Sequence, residues 1–129
     1  MDKPRLVVVD DELDIANLVQ GRAGLLGFDA RIVANGRELM KTLDGEPDVI
    51  VLDLVMPDMD GIEVLQELAA RNSRACIILI SGYGKQYLEI ADKLGSAHGL
   101  NILKTLTKPF RIEELDALLR KALPGACRV

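Results

Sequence analysis

Five short runs of apolar residues, rich in Val and Ile, constrain the fold of this chain more than any other feature. The strong runs do not alternate between polar and apolar residues, as a strand with one face in water would. We therefore predict strands that are covered on both faces, as in a parallel sheet. The runs are Leu6–Val9, Asp29–Val33 (the weakest), Val49–Leu52, Cys76–Ile80 and Ile102–Leu106.

The stretches between these runs have helical spacing. Alternating strands and helices form a doubly wound α/β sheet through right-handed crossovers. Because no linker or repeat interrupts the pattern, we expect one domain over residues 1–129, with a core of about 5–123. The predicted apolar helix faces contain Ile15, Leu18, Val19, Leu25 and Leu26; residues 36–43; Ile62, Leu65, Leu68 and Ala69; Tyr87, Ile90, Ala91 and Leu94; and Ile112, Leu115, Leu118, Leu119 and Ala122.

Composition excludes several classes of protein. Apolar residues make up 49% of the chain and aromatic residues only 3%, so the core is aliphatic. A net charge of −4 argues against direct binding of nucleic acid, which needs clustered Lys and Arg. The two cysteines, Cys76 and Cys127, match the pattern of neither a disulfide framework nor a metal ribbon. The absence of a long apolar segment or a signal-peptide pattern predicts a cytoplasmic protein.

Polar residues follow four of the five predicted strands. They are Asp10 and Asp11 after the first, Asp53 after the third, Ser81 after the fourth and Lys108 after the fifth. Ligands of open α/β sheets bind beyond these carboxyl ends. Three crowded carboxylates repel one another, and a divalent cation such as Mg²⁺ relieves that repulsion. Asp53 could then act as a nucleophile toward a phosphoryl group.

Each residue also has an ordinary structural interpretation. Asp11 or Glu12 could cap the first helix, and Asp53 and Ser81 could belong to plain turns. Lys108 could be a solvated lysine beside a loop. These interpretations would have to hold together at four strand ends, which favours the functional hypothesis.

Four motifs resemble those of response-regulator receiver domains in two-component signalling. They are Val7–Glu12, Val51–Gly61, Ile80–Tyr83 and Thr107–Phe110. The resemblance extends from Arg5 to Leu123. It implies a flavodoxin-like (βα)5 fold with a five-stranded parallel sheet in the order 2-1-3-4-5.

The resemblance also implies a role for each site residue. Asp53 would be the phosphoacceptor, Lys108 would pair with the phosphoryl group through a cis bond to the next proline, and Ser81 would donate a hydrogen bond to it. Asp11 would bind the metal directly and Asp10 mainly through water. The implied ligands of Mg²⁺ (or Mn²⁺) are Asp10, Asp11, Asp53 and the backbone carbonyl of Val55.

Partners and output follow from the same resemblance. The phosphodonor would be a phosphohistidine on a sensor histidine kinase or histidine phosphotransfer protein, or a small acyl phosphate. The chain would catalyse only its own phosphorylation and dephosphorylation, and would not otherwise be an enzyme. The fourth helix, fifth strand and fifth helix would form the output face and a candidate homodimer interface. Residues Gly99–Phe110 resemble receivers joined to EAL-type cyclic-di-GMP phosphodiesterase domains.

Three positions bear on the switch and on the lifetime of the phosphoryl group. Many receivers carry an aromatic residue three positions before the lysine, where this chain has Thr105. The aromatic part of the switch is therefore missing or is performed by another group, such as Tyr83. Val55 and Tyr83 would border the path of the attacking water, so we predict slow loss of phosphate.

Three alternatives differ in function. A flavodoxin-type FMN protein needs a Gly- and hydroxyl-rich loop after the first strand, where this chain has carboxylates. A haloacid-dehalogenase-type phosphatase needs an Asp two residues after the nucleophile, where this chain has Val55. A degenerate receiver that only binds partners usually lacks an acidic residue or the lysine, and this chain has both.

Overall fold

The main sheet has five parallel strands. The computed structural model describes residues 3–43, 46–56, 59–82 and 84–123, with the backbone alone at 55, 56, 59, 84, 85 and 87. The strand order is β2-β1-β3-β6-β7, which is 2-1-3-4-5 when only the strands of this sheet are counted. The predicted fold class is therefore confirmed. The strands are β1 (Arg5–Val9), β2 (Asp29–Val33), β3 (Val49–Asp53), β6 (Cys76–Ser81) and β7 (Asn101–Thr107); β4 (Val55–Met56) and β5 (Met59–Asp60) form a short antiparallel pair.

Within the described ranges, five helices cover the two faces of this sheet, and each face has its own core. Neighbouring residues of one strand point to opposite faces: Val7 and Val9 lie in one core, and Leu6 and Val8 in the other. Burial on both sides explains why the strand sequences do not alternate. The helices are α1 (Leu13–Leu25), α2 (Gly36–Thr42), α3 (Gly61–Ala70), α4 (Gly84–Ala97) and α5 (Ile112–Lys121).

Among the predicted apolar helix-face residues whose side chains are described, three are exposed, which corrects the sequence interpretation. Leu25 is 76% exposed, Ile90 58% and Ile112 44%. Each residue turns a helix by about 100°, so Leu25 lies roughly 200° from the buried Ala23. Small residues, rather than leucines, form much of the buried face of α1.

Candidate functional site

Three carboxylates meet at the carboxyl edge of the sheet. One oxygen from each of Asp10, Asp11 and Asp53 lies within 4.8 Å of the others. Asp10 and Asp53 are each only 2% exposed, whereas Asp11 faces solvent. Carboxylate oxygens at this spacing suit a hard divalent cation such as Mg²⁺. The predicted acidic ligands therefore do come together in space.

The side chain of Asp10 holds the loop after β1, and the side chain of Glu12 does not cap α1. Oδ1 of Asp10 accepts a hydrogen bond from the backbone N–H of Glu12 at 2.9 Å. Glu12 occupies the N-cap position of α1, but its side chain makes no capping hydrogen bond. Of the two alternative helix caps, Glu12 is therefore excluded, because its carboxylate accepts a hydrogen bond from Lys108 instead.

The loop after β3 is held by Leu54 and Gly61. The N–H of Leu54 donates to the carbonyl of Ile80 at 2.9 Å, and its own carbonyl accepts from the N–H of Gly61 at 2.9 Å. A Cβ on Gly61 would lie 2.5 Å from the Cα of Leu54, so only glycine fits here without a backbone shift. This close approach fixes the chain directly after Asp53.

Lys108 lies among the carboxylates. Its Nζ is 3.1 Å from Oδ2 of Asp53, 3.4 Å from Oδ2 of Asp10 and 3.0 Å from Oε1 of Glu12. Its backbone N–H donates to the carbonyl of Ser81 at 2.9 Å, and its peptide bond to Pro109 is cis, as expected. Ser81 itself is fully buried at the end of β6. The ends of four strands therefore converge on one site.

Burial and charge shift two pKa values in this site. Burial, with a smaller contribution from the charge of Asp53, raises the pKa of Asp10 from 3.8 to about 6, although the hydrogen bond from Glu12 opposes the change. Burial lowers the pKa of Lys108, but the hydrogen bond with Glu12 and the charges of Asp10 and Asp53 outweigh it and raise that pKa. Lys108 therefore stays cationic at neutral pH.

Sequence reasoning missed the contact between Glu12 and Lys108. It considered Glu12 only as the last residue of the first motif and as a candidate helix cap, and the available signal was its position next to two predicted ligands. Tyr83 and the side chain of Val55 lie outside the described residues. The predicted slow loss of phosphate and the suggested role of Tyr83 in the switch therefore stay predictions. The backbone of Val55, two residues after Asp53, pairs with that of Asp60. Thr105 is half-buried on β7, opposite Leu79.

Comparison with known proteins identifies the family. The sequence profile of the response regulator receiver domain matches residues 6–120. The chain belongs to this family, so the family prediction is confirmed. Among the described helices, none combines the length and apolar character needed to cross a membrane.

Curated relatives of different lengths match the chain. It is 30% identical to regulatory protein AtoC of Escherichia coli over 92% of this chain, but over only 25% of that protein. Several probable transcriptional regulators named ycf27 match over about half their length, for example 49% of the protein from Porphyridium aerugineum. The sporulation initiation phosphotransferase F of Bacillus subtilis is 29% identical and is covered over 97% of its length. The chain thus spans half or less of the first two relatives.

Solved structures agree with the fold. A response regulator from Colwellia psychrerythraea has a TM-score of 0.82 and 37% identity, with 93% of this chain and 96% of that chain covered. The response regulator TrrA from Thermotoga maritima, solved in complex with Mg²⁺-BeF, has a TM-score of 0.77 and 28% identity, with 93% and 99% covered.

Proposed function

We propose that this chain is a phosphoacceptor receiver domain, one domain over residues 1–129, in which Asp53 accepts a phosphoryl group. The observation that carries the proposal is the meeting of Asp53 with Asp10 and Asp11 on one side and the Lys108 ammonium, 3.1 Å away, on the other. A nucleophilic carboxylate, two further acidic groups and one cation are what transfer to an aspartate requires.

The transfer step uses the buried carboxylate of Asp53. One of its oxygens attacks the phosphorus of a phosphohistidine or small acyl phosphate, and a P–O bond forms. The bond from phosphorus to the donor breaks, and its electron pair leaves with the imidazole nitrogen or the acyl oxygen. A bound Mg²⁺, or Mn²⁺, held by Asp10, Asp11, Asp53 and the backbone carbonyl of Val55, would offset the negative charge of the phosphoryl oxygens.

Lys108 and Ser81 would then hold the phosphoryl group. Lys108 offers a charged donor to a phosphoryl oxygen, and the Ser81 hydroxyl offers a neutral one. Charge-assisted hydrogen bonds contribute about 1.5–3 kcal/mol each, and inverting a two-state population from 1:99 to 99:1 needs about 5.5 kcal/mol. Two or three such bonds, made in only one state, are enough to switch the domain.

The output face would comprise α4, β7 and α5. Lys108 directly follows β7, and its N–H is bonded to the last residue of β6, so a change at the phosphoryl group reaches both strands. The relatives that extend beyond this chain support a role within longer regulators. A sensor kinase or phosphotransfer protein as donor, a homodimer through the output face, an EAL-type output domain and a cytoplasmic location stay predictions.

The competing classes fit less well. The FMN-binding and haloacid-dehalogenase-type alternatives belong to other families, and the residue two positions after Asp53 is Val55. A receiver that binds partners without phosphorylation is separated from our proposal by experiment.

The direct test is labelling of the purified chain with acetyl phosphate. We expect Mg²⁺-dependent gain of one phosphoryl group by intact mass, lost in Asp53→Ala and retained in the control Asp58→Ala. Labelling that is unchanged by Asp53→Ala, or no labelling of the wild type with Mg²⁺ present, would contradict the proposal.

A further inference from the structure

Lys108 has more carboxylate partners than phosphoryl transfer needs. A lysine ammonium has three N–H donors, and here three carboxylates accept from it: Glu12, Asp53 and Asp10. The shortest of the three contacts, 3.0 Å, is with Glu12. A phosphoryl oxygen that is to bind Lys108 must therefore take the place of one of these acceptors.

The burial of the three carboxylates indicates which of them gives up its hydrogen bond with Lys108. The side chain of Asp10 is 2% exposed, and it would need a cation or lysine to remain ionised away from water. The side chain of Asp53 is 3% exposed, and it keeps one carbonyl oxygen as an acceptor beside Lys108 when its other oxygen bonds to phosphorus. The side chain of Glu12 is 60% exposed, so its carboxylate becomes fully hydrated on release at little cost. The Glu12 backbone stays fixed meanwhile, because its N–H donates to Asp10 and its carbonyl accepts from Ala16.

The negative charge of Glu12 also favours its release when a phosphoryl group binds. Glu12 adds a fourth carboxylate to the site that contains Asp10, Asp11 and Asp53. Its charge attracts a cation and repels an incoming phosphoryl group, and its hydrogen bond occupies a donor that the phosphoryl group would use.

We propose that Glu12 is a positioning residue that holds Lys108 in the unphosphorylated protein and releases it when the phosphoryl group binds. This inference rests on the proposed function of the site. Glu12 thereby lowers the population of the phosphorylated-like state and sets a threshold that a phosphodonor must overcome.

The test measures two ligands of opposite charge by calorimetry: Mg²⁺ alone on the metal-free chain, then beryllofluoride at saturating Mg²⁺. For Glu12→Gln we expect about twofold weaker Mg²⁺ binding and about two- to fivefold tighter beryllofluoride binding, the range of an exposed ion pair. The matched control is Glu67→Gln, which removes an exposed carboxylate on α3 and its 3.4 Å pair with Arg71, the residue that follows this helix. It should change neither affinity.

A second variant separates contact from charge. Glu12→Asp keeps the charge but shortens the side chain, so we expect wild-type affinity for Mg²⁺ and about twofold tighter beryllofluoride binding. Beryllofluoride affinity that is unchanged in both variants, or that moves in the same direction as Mg²⁺ affinity, would overturn the role of Glu12. A wild-type chain that binds neither ligand would instead overturn the proposed function on which the inference rests.

Discussion

At the scale of single residues, folding buries the Asp10 carboxyl in the same pocket as Asp53. Its pKa is about 6 in the folded chain, against 3.8 for an ordinary aspartate. Between these two pH values the folded protein binds a proton that the unfolded chain lacks. The free energy of unfolding of the metal-free protein therefore falls as pH rises from about 4 to about 6, as far as Asp10 controls it.

Asp10→Asn should remove the free-energy cost of burying an ionised carboxylate at this position. We expect the metal-free variant to be more stable than wild type at pH 7 by about 1–2 kcal/mol, which is below the roughly 3 kcal/mol that a two-unit pKa shift represents. The gain should shrink toward pH 5. Urea unfolding at pH 5, 6 and 7 in a chelating buffer measures it, and a variant less stable than wild type at pH 7 would show that ionised Asp10 carries no net penalty.

At the scale of elements, Gly61 joins the first turn of α3 to the loop that follows Asp53. Gly61→Ala would place a Cβ 2.5 Å from a backbone atom of Leu54, so the loop must shift. We expect a loss of about 1–3 kcal/mol in the free energy of unfolding, together with slower phosphorylation by acetyl phosphate.

Gly21→Ala is the matched control for Gly61→Ala. Gly21 lies within α1. Apart from its chain neighbours and the nearby backbone of its own helix, no heavy atom lies within 4 Å of the position that a Cβ would take. Alanine should raise stability by about 0.5–1 kcal/mol and leave phosphorylation unchanged. Equal effects of the two substitutions would refute the close approach at Gly61.

Arg22 links α1, which follows the loop after β1, to α5, which follows Lys108. Its guanidinium donates to both carboxylate oxygens of Asp116, at 2.9 and 2.5 Å, and joins α1 to α5. This hydrogen bond is the main reason that the pKa of Asp116 is lowered and that of Arg22 raised. The stabilisation is therefore complete above about pH 4 and is lost as pH falls through the lowered pKa of Asp116.

Asp116→Asn should lower the melting temperature at pH 7, and the difference from wild type should close as pH falls below about 4. Glu67→Gln, which breaks an exposed pair, should change the melting temperature little at either pH. A deficit in Asp116→Asn that persists unchanged at low pH would point to lost packing instead of a lost charge.

At the scale of the whole molecule, the sequence predicted the sheet and the site better than the helix faces. Runs such as Val49–Leu52 predict a strand buried on both sides, and parallel strands bring their carboxyl ends together whatever the loops do. Exposure of Leu25 and Ile90 depends on the rotation of each helix against the sheet, which a mixture of small and large apolar residues leaves open. The Glu12 contact depends on side-chain reach across two loops, which no local pattern encodes.

Binding of a phosphoryl analogue should change amide hydrogen exchange more in α4 and β7 than in α2. With Mg²⁺ and beryllofluoride we expect amide hydrogen exchange to change in α4 and β7, which follow Ser81 and precede Lys108, and to stay constant in α2. Changes confined to α1 and α2 would be inconsistent with an α4–β7–α5 output face.

We predict that the carboxylate of Asp53, and no other, takes the phosphoryl group. Borohydride reduces an aspartyl phosphate to homoserine, so peptide mass spectrometry of the reduced protein locates the modified residue. After acetyl phosphate and Mg²⁺ we predict homoserine at position 53 alone, and none when the metal is chelated. Homoserine at position 10, 11 or 58 with Asp53 intact would contradict the account.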